Sequence, residues 1–181
     1  MKLLIASDIH GGSYYATIIK EAFEKHECDI LLLLGDLLYH GPRNDLPKEY
    51  APKEVIPILN SLKDKIVAVR GNCEAEVDQM VLEFDCLQDM KTIIFEDYKL
   101  VASHGHIYSP EHLPILNKGD IFCFGHIHVP VIENKEGIHI LNPGSITIPK
   151  NNSAHSYMVL ENKEIYLYDD THTCITKQRL K

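Results

Sequence analysis

The chain has 181 residues, of which 45% are hydrophobic and 24% are charged, and this is typical of one globular domain with a substantial core. Its formal net charge of −8 argues against a broad surface for long nucleic acids but is compatible with a small phosphorylated substrate. Because there is no long apolar run, no signal-peptide pattern and no C-x-x-C spacing among the five cysteines, we expect a cytoplasmic protein with reduced thiols and no membrane partner.

The first half of the chain alternates predicted strands and helices. Its strands are apolar without alternation, which is typical of parallel strands that are buried on both faces. Its helices have apolar residues at helical spacing, although Pro57 falls inside the second one. The predicted strands cover residues 3–6, 29–34 and 65–69, and the predicted helices cover residues 13–26, 53–64 and about 74–80.

The second half consists mostly of predicted antiparallel strands. A hairpin is predicted over 91–95 and 99–103, with its turn at 96–98, and a buried strand over 121–124. Strands 131–132 and 138–141 are expected to pair, and strands 156–160, 164–168 and 174–178 to form a meander. There is no repeat and no domain linker, so we expect residues 1–181 to form one α/β domain, a two-sheet sandwich with helices outside.

One pattern recurs five times along the chain: a buried strand ends, a glycine follows or precedes, and a metal-type ligand appears. In an extended backbone, side chains two residues apart point the same way, so each Asp-x-His or His-x-His pair should aim at one point. That point lies past the carboxyl end of the strand, where open α/β sheets usually place their sites. The ligand-type residues are Asp8 with His10, Asp36, Asn72, His104, and His126 with His128.

Seven ligands exceed the needs of one ion and fit two. Two divalent ions together with the carboxylates of Asp8 and Asp36 leave a charge of about +2, which suits a phosphate group. Carboxylate, amide and imidazole ligands without cysteine favour manganese, with iron, zinc and nickel as alternatives. Two such ions stabilise the attacking and leaving oxygens of a displacement and lower the pKa of bound water.

The order and context of these motifs resemble the calcineurin-like metallophosphoesterases. The similarity spans residues 1 to about 150, and the stretches 38–44, 69–74 and 141–150 resemble the small bacterial YfcE-type phosphodiesterases. This resemblance implies a four-layer αββα sandwich and a metal-dependent phosphodiesterase, which is a hydrolase of ester bonds. The matching blocks are Asp8-Ile-His10, Gly35-Asp36, Gly71-Asn72, Ser103-His104-Gly-His106 and Gly125-His126-Ile-His128.

The resemblance also implies a role for each ligand. One ion would be held by Asp8, His10 and His128, and the other by Asn72, His104 and His126. Asp36 would bridge the two ions. A metal-bound hydroxide would then attack phosphorus opposite the leaving oxygen. The expected catalytic residues are Asp36, Asn72, Cys73 and His104.

The chain departs from the wider family at Cys73, where a histidine usually follows Gly-Asn. A thiol is a weaker donor than an imidazolium group and titrates at a different pH. Three alternatives are open: Cys73 only packs, it is a less effective acid that favours diesters with good leaving groups, or His40 or His106 substitutes for it. We favour the first two, which preserve hydrolysis but argue against strong phosphomonoesterase activity.

The predicted substrate-binding residues are Arg43, Asn44, His40 and His106. Arg43 and Asn44 follow Asp36 in a proline-rich loop, where turn chemistry at Gly41-Pro42 explains them equally well. We expect a small phosphorylated substrate, and a homo-oligomer is compatible with the sequence. The alternative functions are a phosphomonoesterase with the same two-metal site and a non-catalytic scaffold similar to the Vps29-type retromer subunit, which the complete ligand set disfavours.

Overall fold

The structure is a computed structural model, and it describes residues 1–180. Within this range the three α-helices are α1 (Ser13–Lys25), α2 (Pro52–Asn60) and α3 (Glu76–Gln79). The strands of the first half are β1 (Lys2–Ala6), β2 (Ile30–Leu33), β3 (Ile66–Ala68), β4 (Met90–Phe95) and β5 (Tyr98–Ser103). Those of the second half are β6 (Ile121–Cys123), β7 (Pro130–Lys135), β8 (Ile138–Pro143), β9 (Ser156–Glu161), β10 (Glu164–Asp169) and β11 (Cys174–Arg179).

The strands form two mixed sheets, which confirms the predicted sandwich. The six-stranded sheet has the order β11-β10-β9-β1-β2-β3, and the five-stranded sheet has the order β4-β5-β6-β8-β7. Strands β1, β2 and β3 are parallel, whereas the C-terminal meander joins the same sheet through antiparallel pairing of β9 with β1. In the second sheet β5, β6 and β8 are parallel, and β4 and β7 are antiparallel edge strands.

Strand β1 lies at the centre of the molecule and is buried on both faces. Leu4 and Ala6 pack in the cluster that joins the first sheet to α1 and α2. Leu3 and Ile5 pack in the cluster between the two sheets, together with residues such as Phe95. This two-sided burial explains why the strand has no polar alternation in its sequence. On the other side of the second sheet, apolar residues of the irregular segment 108–116 pack against the strands.

Several element boundaries differ from the sequence-based expectation; strand β7, for example, covers Pro130–Lys135 where 131–132 was predicted. Helix α2 begins at Pro52 and ends at Asn60, and residues 63–65 form a separate 3-10 turn. A proline suits the first helical position because its missing N–H group would have no partner there. The hairpin turn between β4 and β5 contains only Glu96 and Asp97, because Tyr98 pairs with Phe95.

The parallel strands direct their carboxyl ends to a common edge of each sheet. The loops of the two sheets contact one another there: the backbone N–H of His126 donates to Asp8 Oδ2 at 3.0 Å, and Ser145 Oγ donates to the carbonyl oxygen of Asp8 at 2.8 Å. The loops that follow β1, β2, β3, β5 and β6 therefore meet at one place. Among residues 1–180, no helix is both long and apolar enough to span a membrane.

Candidate metal centre

The predicted ligands of the first ion lie together in the structure. Asp8 Oδ1 is 3.1 Å from His128 Nε2 and 3.5 Å from His10 Nε2. The two Nε2 atoms of His10 and His128 are 3.4 Å apart. All three side chains are buried, and their ligand atoms form one group that is compact enough to surround a metal ion.

The predicted ligands of the second ion form an adjacent group. His104 Nε2 is 3.1 Å from Asn72 Oδ1 and 3.2 Å from His126 Nδ1. Asp36 lies between the two groups, with Oδ2 3.6 Å from His10 Nε2 and 3.4 Å from His104 Nε2. The carboxylate of Asp36 is therefore the side chain that both groups share.

The backbone at the ligands is not extended, and here the sequence-based geometry was wrong. Strand β1 ends at Ala6, and Asp8 and His10 have φ values of 57° and 47°. His126 and His128, at 67° and 59°, and Asp36, at 56°, are also left-handed. Such φ values are uncommon for residues other than glycine, and this strain is typical of functional sites. The paired ligands converge because the chain kinks at each of them, and not because strand residues two apart share a face.

Close backbone approach explains the glycines beside the ligands. A Cβ atom at Gly71 would lie 2.1 Å from Asp36 Oδ1, and one at Gly125 would lie 2.0 Å from Ser7 Oγ and 2.9 Å from Asp8 Oδ2. All three distances are too short for a Cβ atom at either position. The two glycines therefore allow the loops of the two sheets to pack directly on the acidic ligands.

Glu74, to which the sequence analysis gave no role, holds two ligand loops together. Its Oε2 accepts hydrogen bonds from the backbone N–H groups of Asp36, at 2.8 Å, and Gly71, and its Oε1 accepts one from Leu37 at 2.6 Å. Burial and the neighbouring Asp36 charge raise the pKa of Glu74 to about 7, whereas the three N–H donors favour the carboxylate. Only the tertiary structure distinguishes this glutamate from the many exposed ones.

The histidine rings are oriented for metal binding by backbone carbonyl groups. Nδ1 of His10, His104 and His128 lies 2.8, 2.6 and 2.8 Å from the carbonyl oxygens of Tyr39, Leu34 and Ile148, respectively. A carbonyl oxygen can only accept a hydrogen bond, so Nδ1 of each ring must carry a proton. In a neutral ring the lone pair of Nε2 then points into the centre.

This donor set fits divalent cations. When both rings are neutral, the Nε2 lone pairs of His10 and His128 face each other and Asp8 Oδ1. All three atoms are then hydrogen-bond acceptors, and no donor lies between them. Asp8 Oδ1 is buried and has no hydrogen-bond partner within residues 1–180. A cation between these atoms would satisfy all of them, because carboxylate oxygen and neutral imidazole are ordinary ligands of first-row metals.

The electrostatics of the site also favour cations. Burial raises the pKa of Asp8, but the adjacent His10 and His128 side chains outweigh burial and hold this pKa well below its usual range. The pKa of Asp36 is likewise lowered, by His104 against the opposing effect of burial. For His104, burial lowers the pKa, but Asp36 and Asp8 raise it to about 9. The acidic pair thus attracts a positive charge to the position that a metal ion would take.

A cleft of about 480 Å³ opens onto the centre. The predicted residues Arg43, Asn44 and Cys73 line it. Lys150, which the sequence analysis did not single out, also lines it. The remaining lining residues are His10, Asp36, Gly41, Pro42, Asn72, His126, Ile127 and His128.

His40 and His106 are not among the lining residues within the described part of the chain. The ring of His40 lies between those of Tyr39 and Tyr50, with centroid distances of 4.8 and 5.1 Å. The exposed His106 ring is 5.4 Å from that of His104, outside the ligand group. Neither placement supports the third alternative, in which His40 or His106 substitutes for the usual histidine at position 73.

Cys73 faces the cleft as a neutral thiol. Its backbone N–H donates to Asp36 Oδ1 at 2.8 Å, and its Sγ accepts a hydrogen bond from Asn72 Nδ2 at 3.4 Å. Burial raises the pKa of the thiol, and the adjacent Asp36 raises it further. The raised pKa argues against nucleophilic attack by a free thiolate, although Sγ lies within 4.8 Å of ligand atoms of His10 and Asp36 and could join them around an ion.

The chain is similar to known proteins over most of its length. The family model described as the calcineurin-like phosphoesterase superfamily domain matches residues 1–164. The chain is 45% identical to phosphodiesterase YfcE of Escherichia coli K12 over 162 residues, which are 90% of this chain and 88% of that protein. A solved structure of YfcE, a phosphoesterase from E. coli, superimposes with a TM-score of 0.97 at 41% identity and covers 100% of both chains.

The fold is shared more widely. The structure of Vps29 from Entamoeba histolytica in complex with Zn²⁺ covers 100% of both chains with a TM-score of 0.66 at 22% identity. At this identity the similarity concerns the fold alone.

Proposed function

The chain belongs to the calcineurin-like phosphoesterase superfamily and is a hydrolase that acts on phosphodiester bonds, and we propose that it works with two divalent metal ions. The position of Asp36 carries this proposal, because one carboxylate oxygen lies within 3.6 Å of ligand nitrogens from both groups. One ion would be held by Asp8, His10 and His128, the other by Asn72, His104 and His126, with Asp36 shared. We expect manganese, with iron, zinc and nickel as alternatives.

When bound, such ions supply Lewis acidity, which lowers the pKa of water and offsets the charge of a phosphate group. The carbonyl groups that accept from His10, His104 and His128 orient these rings, so that Nε2 of each ring faces the centre. Glu74 fixes the backbone that presents Asp36. Arg43 and Asn44 line the cleft, which supports a role for both in substrate binding.

The proposed preference for diesters rests on Cys73. The thiol is the group at this position that could approach a leaving oxygen, and it is a weak proton donor. We therefore expect activated diesters to react best, because their leaving groups depart without being protonated.

Because the free cysteines of the described chain form no disulfide, we also propose a reducing compartment such as the cytoplasm.

Initial rates on one chromogenic pair test the preference. The protein is stripped of metal with a chelator, reloaded with Mn²⁺, and assayed with p-nitrophenyl phosphate and bis(p-nitrophenyl) phosphate. We expect a higher kcat/KM for the diester and no turnover without metal. A dominant monoester rate would favour the phosphomonoesterase alternative.

A scaffold function is the second candidate, because the fold is shared with Vps29. The complete set of ligand-type side chains, with their lone pairs directed inward, favours the enzyme. Binding of a partner protein by metal-loaded protein that hydrolyses neither ester would support the scaffold instead.

A further inference from the structure

We propose that Arg43 and Lys150 form a second anion-binding subsite in the cleft, which selects diesters that carry an additional negatively charged group. The inference rests on the proposed phosphodiesterase function and concerns the choice of substrate within it. Arg43 comes from the loop after β2, and Lys150 comes from the loop after β8. The two cations therefore reach one cleft from different sheets, and both line it together with the ligands His126 and His128.

Lys150 is attached to the metal centre through its backbone. Its N–H donates to the carbonyl oxygen of His128 at 3.1 Å. Ser153 Oγ donates to the carbonyl oxygen of Lys150 at 2.7 Å, and the intervening Asn151 and Asn152 have φ values of 55° and 56°. This tight turn fixes the start of the Lys150 side chain relative to His128, while the side chain itself is exposed to the cleft.

Arg43 is presented by a second fixed turn. The backbone N–H of Asn44 donates to the carbonyl oxygen of Gly41 at 3.4 Å, and Asn44 Nδ2 donates to that of His40 at 2.8 Å. A Cβ atom at Gly41 would lie 3.4 Å from Cys73 Sγ, so the turn packs directly on the cleft wall. Within residues 1–180, neither Arg43 nor Lys150 forms an ion pair, and both charges are available to a ligand.

The charges in the cleft exceed what a simple diester needs. Two divalent ions with Asp8 and Asp36 sum to about +2, and a diester phosphate contributes about −1. Arg43 and Lys150 add two more positive charges, although the chain as a whole has 26 acidic and only 18 basic residues. Complementary charge gives selectivity, so the excess favours a substrate with a second anionic group, such as a terminal phosphate.

A matched pair of substrates separates this proposal from the function on which it rests. The p-nitrophenyl ester of thymidine 5′-phosphate and the same ester with an added 3′-phosphate share the reacting bond and the leaving group. We expect the Mn²⁺-loaded wild type to show about tenfold higher kcat/KM for the 3′-phosphorylated ester. Lys150→Gln should remove most of this preference, and Lys150→Arg should retain it.

The control is Lys53→Gln, which removes an exposed lysine of α2 and should leave both rates and their ratio unchanged. Equal rates on the two esters in the wild type would overturn the subsite. A Lys150→Gln variant that loses the same factor on both esters would also overturn it, since Lys150 would then contact the reacting phosphate. Failure of the wild type to hydrolyse either ester would instead contradict the proposed function.

Discussion

The carboxylate of Glu74 accepts a hydrogen bond from the backbone N–H of Asp36 at 2.8 Å, and this contact ties the loop after β3 to the loop after β2. The same carboxylate also accepts from Gly71 and Leu37, so it meets three buried N–H groups with one side chain. Because Asp36 has a left-handed backbone, with φ of 56°, it needs such external support. Glu74 is therefore a positioning residue for the shared ligand, and it acts through the backbone of Asp36.

Glu74→Gln should lower the free energy of unfolding of the metal-free protein by about 1–3 kcal/mol, because an amide cannot accept all three N–H groups. Urea unfolding measures this loss. Metal titration should show weaker binding in the variant. The matched control Glu76→Gln changes a residue whose side chain is 83% exposed and should shift the unfolding free energy by less than about 0.5 kcal/mol. Identical unfolding of the wild type and Glu74→Gln would refute the positioning role.

Asp36→Asn should disturb both ions, since it removes the charge that the two ligand groups share. We expect kcat/KM on bis(p-nitrophenyl) phosphate to fall by at least about 100-fold. The rise in Tm on addition of Mn²⁺ should shrink, because binding to the folded state stabilises it by mass action. Asp64→Asn, in the exposed turn before β3, serves as the control. Near-normal turnover of Asp36→Asn would contradict the bridging role.

Cys73→His should raise the ratio of monoester to diester hydrolysis by roughly tenfold or more, because an imidazole near its ordinary pKa donates a proton far better than this thiol. Position 73 is half-buried and lines the cleft. The ratio is measured with p-nitrophenyl phosphate and bis(p-nitrophenyl) phosphate. Cys73→Ala separates the two roles left open for Cys73. If the thiol is a weak acid, its loss should lower the rate of diester hydrolysis; if it only packs, the rate should not change. An unchanged ratio in Cys73→His would exclude leaving-group protonation from this position.

Tyr157→Phe should destabilise the fold by about 1–2 kcal/mol at a distance from the cleft. The buried hydroxyl lies 3.0 Å from His26 Nε2, at the end of α1, and 2.9 Å from His172 Nδ1, in the β10–β11 turn. Thermal or urea unfolding measures the effect, and diester hydrolysis should be retained. Tyr14→Phe, at an exposed tyrosine whose hydroxyl has no hydrogen bond within residues 1–180, should unfold like the wild type. Equal stability of both variants would show that the Tyr157 contacts are not stabilising.

The strands and helices could be predicted because buried apolar residues recur at regular intervals in the sequence. Leu3 and Ile5 pack on one side of β1, and Leu4 and Ala6 pack on the other, which gives the unbroken apolar run from which the strand was predicted. Strand ends followed by glycine then predicted where the ligands would meet. The backbone geometry was not predictable in this way, since the left-handed φ of Asp8 depends on contacts with Gly35 and Ser145.

Single residues in loops do not belong to any regular sequence pattern. Glu74 and Lys150 were missed because their roles depend on which loops the fold brings together, and neither belongs to a periodic pattern. His40 was a reasonable candidate for the cleft, but its ring packs between Tyr39 and Tyr50. Sequence context alone does not distinguish a loop histidine that faces a cleft from one that faces two tyrosines.

Anomalous scattering from crystals grown with Mn²⁺ and without chelator tests the two-metal proposal most directly. We expect two peaks in the anomalous difference map. One should contact Asp8, His10 and His128, the other should contact Asn72, His104 and His126, and both should contact Asp36. A single peak at full occupancy, or two peaks that do not share Asp36, would contradict the proposal.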